Sequence, residues 1–216
     1  MGKGTKVKTL VGNLKYVFIT GEGRNASLPG QEPKMKYSAS LVCPKDGDIH
    51  KDIKAQIEAE WKAYKIVSGA KGLPKTNGIK DELVNCPTGD IDPATEKIKR
   101  IPTGNVVISF STNTTWKDGN KQEVTVLDNK GGDRTATVLG AAWAIGEGSQ
   151  GIIHGVAQGN DVGGTAKVTL YLSGIQLTHL VKYEGNSIDA DVIEGKDVDF
   201  GDDMNVVAVD AGKVDI

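Results

Sequence analysis

Apolar and polar residues alternate over several stretches of the chain, and a period of two is the signature of half-buried β-strands. Met35, Tyr37, Ala39 and Leu41 fall on one face of such a strand, which assigns the Tyr37 ring to the core. Val7 to Ile19 is apolar-rich with Lys8 and Lys15 interspersed, and Val106, Ile108 and Phe110 repeat the alternation with Trp116 further along. Lys117-Asp118-Gly119-Asn120 carries an Asp-Gly turn signal, predicting a hairpin that joins this stretch to Val124 and Val126. From Thr165 to Tyr183 the apolar parity holds at Ala166, Val168, Leu170 and Leu172, then passes to Ile175, Leu177, His179 and Val181. The switch falls at Ser173-Gly174, where a β-bulge keeps one strand's apolar face inward.

One segment changes period. Ile49, Ile53, Ile57, Trp61 and Tyr64 recur every three or four residues, predicting an amphipathic helix over about 48–67 with Trp61 in the core. Asp46 or Asp48 is the expected cap and Gly69 the expected stop. Residues 68–104, rich in Gly, Pro, Asn and Asp, read as a long ordered loop or insertion. The order of elements predicts an all-β chain, a closed or nearly closed small barrel with one inserted α-helix, a β-sandwich being the alternative.

The 216 residues suffice for one domain with a core of its own, without disulfides or structural metals. No apolar run reaches the roughly 18 residues of a membrane-spanning helix. The stretch through Phe18 is charged and broken by glycine, so no secretory leader is expected and the expected compartment is the cytoplasm. Cys43 and Cys86 lack metal-type spacing and are expected as buried thiols, one disulfide being the alternative. His50, His154 and His179 have no local partner, so these residues point to no metal and no cofactor.

Charge changes the picture more than composition does. The net charge of −2 conceals two opposite parts: from Glu184 onward ten carboxylates oppose two lysines, and the preceding residues carry 24 Lys and Arg against 18 Asp and Glu. In a basic body joined to an acidic segment, the segment can lie on the cationic surface and compete with another polyanion, a solvated tail that only aids solubility being the alternative.

Enzyme motifs are weak by comparison. Gly146-Glu147-Gly148-Ser149-Gln150-Gly151 spells GxGxxG, but the strand-like Ile152–Val156 follows where a dinucleotide site needs a helix, and Tyr171 stands where its acid belongs. The motif reads as a turn. Asp90 with Asp92, and Asp202 with Asp203, read as solvated carboxylates rather than metal ligands. What the body does offer is cations beside aromatics on or next to predicted strands: Lys15, Tyr16, Lys34, Lys36, Trp116, Lys117, Lys121, Arg134, Trp143, Lys167 and Tyr171. Single-stranded DNA requires this mixture, positive charge along the backbone and flat rings for unstacked bases. Tyr171 shares the polar parity with Lys167 and Thr169, while Trp116 and Trp143 flank turns and suit core or DNA equally.

Several ordered landmarks now come together. Lys36-Tyr37-Ser38-Ala39-Ser40-Leu41-Val42-Cys43-Pro44-Lys45 is a strand closed by Pro-Lys ahead of the helix. Val124-Thr125-Val126-Leu127-Asp128-Asn129-Lys130-Gly131 ends in an Asp-x-Lys-Gly turn, and Ile145 to Gln150 makes a glycine turn before a strand. Lys167 to Leu172, continuing to Leu180-Val181-Lys182-Tyr183-Glu184-Gly185, forms a last strand that enters the acidic segment. In this order the chain resembles the OB-fold single-stranded DNA-binding proteins of tailed bacteriophages, including those of the T-odd podophages, over most of residues 7–203.

The resemblance implies a five-stranded OB-fold barrel over residues 1–183 and an acidic C-terminal tail over 184–216. It implies a non-enzymatic protein in the cytoplasm of the infected bacterial host, coating exposed single strands in phage replication, recombination or repair without strong sequence preference. It also implies that the tail modulates DNA binding, recruits phage DNA polymerase and helicase-primase, and supports a homodimer. The tail residues that carry this expectation are Asp189, Asp191, Glu194, Asp197, Asp199, Phe200, Asp202 and Asp203. The chain departs from the family pattern in finishing with the apolar Val206-Val207-Ala208-Val209 rather than with an acidic run and a terminal aromatic. Two other readings are a virion structural protein (a tail-tube or head-completion subunit with 68–104 as an arm) and an enzyme acting on nucleic acid through Asp90, Asp92 or a histidine.

Overall fold

The computed structural model describes residues 4–183 except 29, 73, 75, 77, 117, 163 and 164, together with 193–194 and 207–208. In chain order the elements are β1 (Thr5–Lys8), β2 (Gly12–Phe18), β3 (Arg24–Asn25), β4 (Met35–Pro44), α1 (Asp48–Ser68), β5 (Ile79–Asn85), β6 (Ile91–Asp92), β7 (Lys97–Ile98) and β8 (Arg100–Asn113). They continue with β9 (Thr125–Leu127), α2 (Thr135–Leu139), β10 (Ala144–Ile145), β11 (Gln150–Val162), β12 (Thr165–His179), β13 (Lys182–Tyr183), β14 (Ile193–Glu194) and β15 (Val207–Ala208). Hydrogen-bonded neighbours in the main sheet run β5-β8-β4-β2-β11-β12-β9, with β1 added to β11 and β3 to β4. The chain is therefore mostly β, with an OB-like succession of strands around one long helix.

The core lies on one face of this sheet. Tyr37, Ala39, Leu41 and Cys43 on β4 stand opposite Thr112, Phe110, Ile108 and Val106 on β8, and all are buried. The sheet curls far enough that β8 touches β12, although β4, β2 and β11 separate them along the path. Close approach at the centre requires glycine: a Cβ on Gly155 of β11 would lie 2.6 Å from the Phe110 ring.

Bulges supply the bends. On β12, Ser173 is the extra residue between the pairs His154–Gly174 and Gly155–Leu172. It is exposed, and the inward series passes from Val168, Leu170 and Leu172 to Ile175 and Leu177, as the change of parity requires. On β2, Tyr16 and Val17 together oppose the single residue between Ser38 and Ser40. Val17 turns inward while Tyr16 adopts a left-handed backbone with φ 55°, a conformation costly for a bulky side chain.

α1 covers the core and one edge. Ile53, Ile57 and Trp61 are buried, with Ile49 and Tyr64 packed against them, and the helix ends at Gly69 in a left-handed turn of φ 69°. The Gln56 amide accepts from the Lys8 backbone N–H at 3.1 Å and donates to the Lys8 carbonyl at 2.9 Å, occupying hydrogen-bonding groups at the edge of β1. Glu60 accepts from Thr5 Oγ1 at 2.6 Å and from the Gly159 N–H at 3.0 Å, tying the helix to β1 and β11. Among the described residues no helix is long and apolar enough to cross a membrane.

Four expectations require correction. The segment expected as a long loop over 68–104 carries β5, laddered along β8, and the β6–β7 hairpin. Its residues are exposed on alternate and adjacent positions alike, so no apolar period marks it. The 116–120 turn forms, with the Trp116 N–H on the Asn120 carbonyl and Gly119 at φ 86°, but only a bridge from Thr115 to Lys121 follows. Val126 then pairs in parallel with Ile175 of β12, because Val124 and Val126 are drawn into the core there. Neither Asp46 nor Asp48 caps α1: Gly47 holds that position without a side-chain bond, and the Asp46 N–H instead donates to buried His50 Nδ1 at 2.9 Å. Cys43 is buried, which pushes its thiol pKa up, whereas Cys86 is half-buried between β5 and β6, and both are free.

A Cβ on Gly159 would run into the Tyr64 ring. Gly159→Ala is therefore expected to lose about 1–3 kcal/mol to overpacking. Chemical denaturation checks it, and an unchanged midpoint would contradict this account of how α1 seats on β11.

Candidate nucleic-acid interface

Residues paired across strands share a face, so the register of β2, β4 and β8 defines the surface opposite the core. Phe18, Ser38 and Ser111 form one row, Lys15, Ser40 and Ser109 the next, and Arg24, Lys36 and Asn113 a third that includes β3. The serines make a polar floor in which Ser38 and Ser40 are buried and Ser109 and Ser111 half-buried, with Ser40 Oγ and Ser109 Oγ 2.8 Å apart. Beside it stand exposed rings: Phe18 at 44% exposure, Tyr16 at 53% on its bulge, and Trp116 at 57% on the turn after β8. A strand bulge is what makes this possible, since strict alternation from Leu14 would have turned Phe18 toward the core.

Cations gather at the Trp116 end. Arg24 lies opposite Lys36, and Lys34 immediately precedes β4 with its N–H held by Ser27 Oγ at 2.8 Å. The Thr114 N–H donates to the Met35 carbonyl, which fixes the Trp116 turn beside this strand start, and Lys121 bridges Thr115 on the turn's far side. Arg24, Lys34, Lys121 and Trp116 are all exposed. Such a surface can do two things chemically: attract phosphates and offer flat apolar faces to unpaired bases.

Lys15 sits differently from these cations. Its Nζ lies 2.9 Å from Glu147, on the loop between β10 and β11, and 3.3 Å from Glu82 on β5. Because β4 and β8 separate β2 from β5, the pair with Glu82 passes across the serine-floored face. The same ammonium is 5.4 Å from the Tyr16 ring centroid. The bond to Glu147, ahead of an opposing effect of burial and the bond to Glu82, raises the Lys15 pKa. Glu82 also accepts from Asn105 Nδ2 at 3.0 Å and Thr103 Oγ1 at 2.8 Å, and these hydrogen bonds hold its carboxyl below the usual glutamate range.

The remaining sequence candidates lie away from the β2, β4 and β8 part of this face. Arg134 pairs with Asp128 at 3.0 Å, and Asp128 in turn accepts the Lys130 and Gly132 N–H groups of a tight turn, the Gly132 bond being the foremost cause of its lowered pKa. Trp143 packs against the core beneath the Lys182 ammonium, 5.0 Å from the ring centroid. Lys167 and Tyr171 lie on β12 opposite Asn160 and Val156, two places beyond β2 on the sheet path, and Asn160 Nδ2 lies 3.3 Å from the Tyr171 hydroxyl. Lys117, Asp189, Asp191, Asp197, Asp199, Phe200, Asp202 and Asp203 lie outside the described residues, and Glu194 falls in β14. Asp90 and Asp92 sit at the β6–β7 hairpin, where Asp92 Oδ1 accepts the Ala94 N–H. Among the described residues no three metal-ligating side chains converge. Sequence reasoning missed Phe18, Arg24 and the serines; the serines did leave a signal, small polar residues at alternate positions in both strands.

No family model matches the chain, and no curated protein matches it by sequence. Solved structures do. The crystal structure of gp2.5, a single-stranded DNA-binding protein encoded by bacteriophage T7, matches with a TM-score of 0.54 at 13% identity, over 85% of this chain and 97% of that one. A C-terminal truncation of the single-stranded DNA-binding protein from bacteriophage Enc34 matches with a TM-score of 0.50 at 20% identity, over 80% of this chain and 84% of that one. At these identities the likeness is one of fold, and this chain resembles the phage single-stranded DNA-binding proteins in its fold.

The Glu82 contacts carry a pH signature. A carboxyl held below its ordinary value, about 4.3, adds stability that is complete above that pH and disappears as pH falls through the folded-state value. Glu82→Gln removes this component, so its melting temperature should be lower at neutral pH and fall less steeply than that of the parent between about pH 5 and pH 3. Parallel melting curves across that range would contradict the assignment.

Proposed function

We propose that this chain is a non-enzymatic, sequence-independent single-stranded DNA-binding protein of a phage. The observation that carries the reading is the outer face of β2, β4 and β8, where exposed Phe18, Tyr16 and Trp116 border a serine floor with Arg24, Lys34 and Lys36 at its end. In this reading β8, β4, β2, β11 and β12 are the five barrel strands, and DNA crosses their solvent face. Phosphates are neutralised by Arg24, Lys34, Lys36, Lys117 and Lys121, and bases stack on the three rings. Lys167 and Tyr171 extend the path around β12, while Arg134 and Trp143 hold the scaffold through the contacts already described.

The domain extends over residues 1–183, and residues 184–216 form an acidic tail that rivals DNA for the cationic face. Support comes from charge and position: ten carboxylates follow Tyr183, and β13 ends beside Gly146, whose N–H donates to the Val181 carbonyl. The neighbouring Glu147 reaches Lys15, so the chain leaves the described body at the border of the interface. With a fold shared with phage single-stranded DNA-binding proteins, the reading places the protein in the host cytoplasm. There it protects exposed strands during replication, recombination or repair, recruiting polymerase and helicase-primase through the tail and pairing as a homodimer.

Fluorescence anisotropy with a labelled oligonucleotide of about 30 nucleotides tests the reading. Tight, salt-sensitive binding of the single strand is expected, and truncation after Gly185 should raise affinity for duplex. Tyr16→Gly is a sharper probe, because glycine suits the left-handed backbone while the ring is lost. Its melting temperature should not fall, yet its affinity for single strands should drop by about 1 kcal/mol or more. Absence of single-strand binding at low salt would overturn the reading.

A further inference from the structure

Lys15 stands inside the proposed interface, on the same face as Phe18 and the serines, yet its charge is already satisfied. Glu82 and Glu147 hold it in different ways. Glu82 belongs to the framework: its side chain is 12% exposed and is fixed by Asn105 and Thr103. Glu147 is 68% exposed and meets Lys15 Nζ at 2.9 Å from the edge of the face. Its backbone is anchored, since the Gly146 N–H donates to the Val181 carbonyl and Ser149 Oγ accepts the Val181 N–H at 2.9 Å. Leaving Lys15 therefore requires only a rotation of the Glu147 side chain into water, and an exposed ion pair opposes that weakly.

Resting on the single-stranded DNA reading, we propose that Lys15 Nζ is a phosphate subsite that Glu147 fills in the DNA-free protein, its carboxylate standing where a backbone phosphodiester binds. The position suits a phosphodiester: the ammonium lies 5.4 Å from the Tyr16 ring centroid, so a phosphate on Lys15 sets its own base within reach of an exposed ring. Glu82 keeps the ammonium aimed over the serine floor during the exchange. No bond is made or broken in this step; one anion replaces another on one cation. Glu147 thereby selects for chains whose bases can stack, because a phosphate that brings no stacking base has only its charge with which to displace the carboxylate.

The exchange has a thermodynamic signature in the full chain. When DNA displaces Glu147, Lys15 trades one ion pair for another and releases no counterion. With Glu147→Gln the subsite is open, so DNA binding should tighten about two- to five-fold at low salt. The slope of log affinity against log salt should steepen by about 0.7, the contribution of one phosphate on a single strand. Adding Lys15→Met to Glu147→Gln should abolish both gains, leaving the double variant equal to Lys15→Met alone. The probe is a labelled thymidine oligonucleotide of about 30 nucleotides, titrated across a salt series. Parent protein that binds, with Glu147→Gln matching it in affinity and slope, overturns the subsite and leaves the single-stranded DNA reading intact. Parent protein that does not bind overturns both.

Discussion

A sheet that wraps its own core has to bend without exposing its apolar side chains, and that constraint organises the rest of this molecule. Extra residues supply bends, among them Ser173 on β12 and one of the Tyr16-Val17 pair on β2. The core parity resumes on the far side of each, so Ile175 follows Leu172 inward and Ile19 stays buried after Val17. Glycine at Gly155 admits the Phe110 ring where strands from opposite ends of the path meet, and Gly159 admits Tyr64 from the helix. A bulge also increases local twist and redirects side chains. On β2 it turns Phe18 outward and leaves Tyr16 in a backbone conformation that a bulky residue rarely adopts. The strain and the proposed function thus sit at one residue, an association common at binding sites.

Electrostatics on the outer face follow a similar economy. Cations at Arg24, Lys34 and Lys36 stand at one end of the β3–β4 hairpin, where water and salt screen their mutual repulsion. The cation nearest the centre, Lys15, is neutralised by one framework carboxylate and one solvent-exposed carboxylate. The loop bearing Glu147 is stapled to residues that lead into the acidic segment, so the edge of the face, the loop and the start of that segment form one physical unit.

Much of the scaffold was legible in the sequence because it rests on local periodicity. The helix stripe from Ile49 to Tyr64, the inward Tyr37 and the bulge at Ser173 need only the alternation of nearby residues, and all three stand in the structure. β5 was illegible because an exposed edge strand has no buried face to imprint a period; Lys80, Asp81 and Glu82 read as loop. Phe18 was missed because a strict period of two puts it on the wrong side of β2. The aromatic–cation inventory names residue types along the chain, and it could not distinguish Trp143, packed under Lys182, from Trp116, which is exposed.

The sequence by itself determined the class of the chain, its single long helix, the inward faces of its main strands and the opposition of a basic body to an acidic segment. Those properties are sums over neighbouring residues or over charge. Tertiary structure alone decided which cations are spent within the fold and which rings reach solvent. Arg134 finds Asp128, Lys15 finds Glu82 and Glu147, and Phe18 comes beside Ser38 only when distant strands meet in register. Pairing depends on distance in space, and a chain's order along its backbone leaves that distance unfixed until the sheet curls.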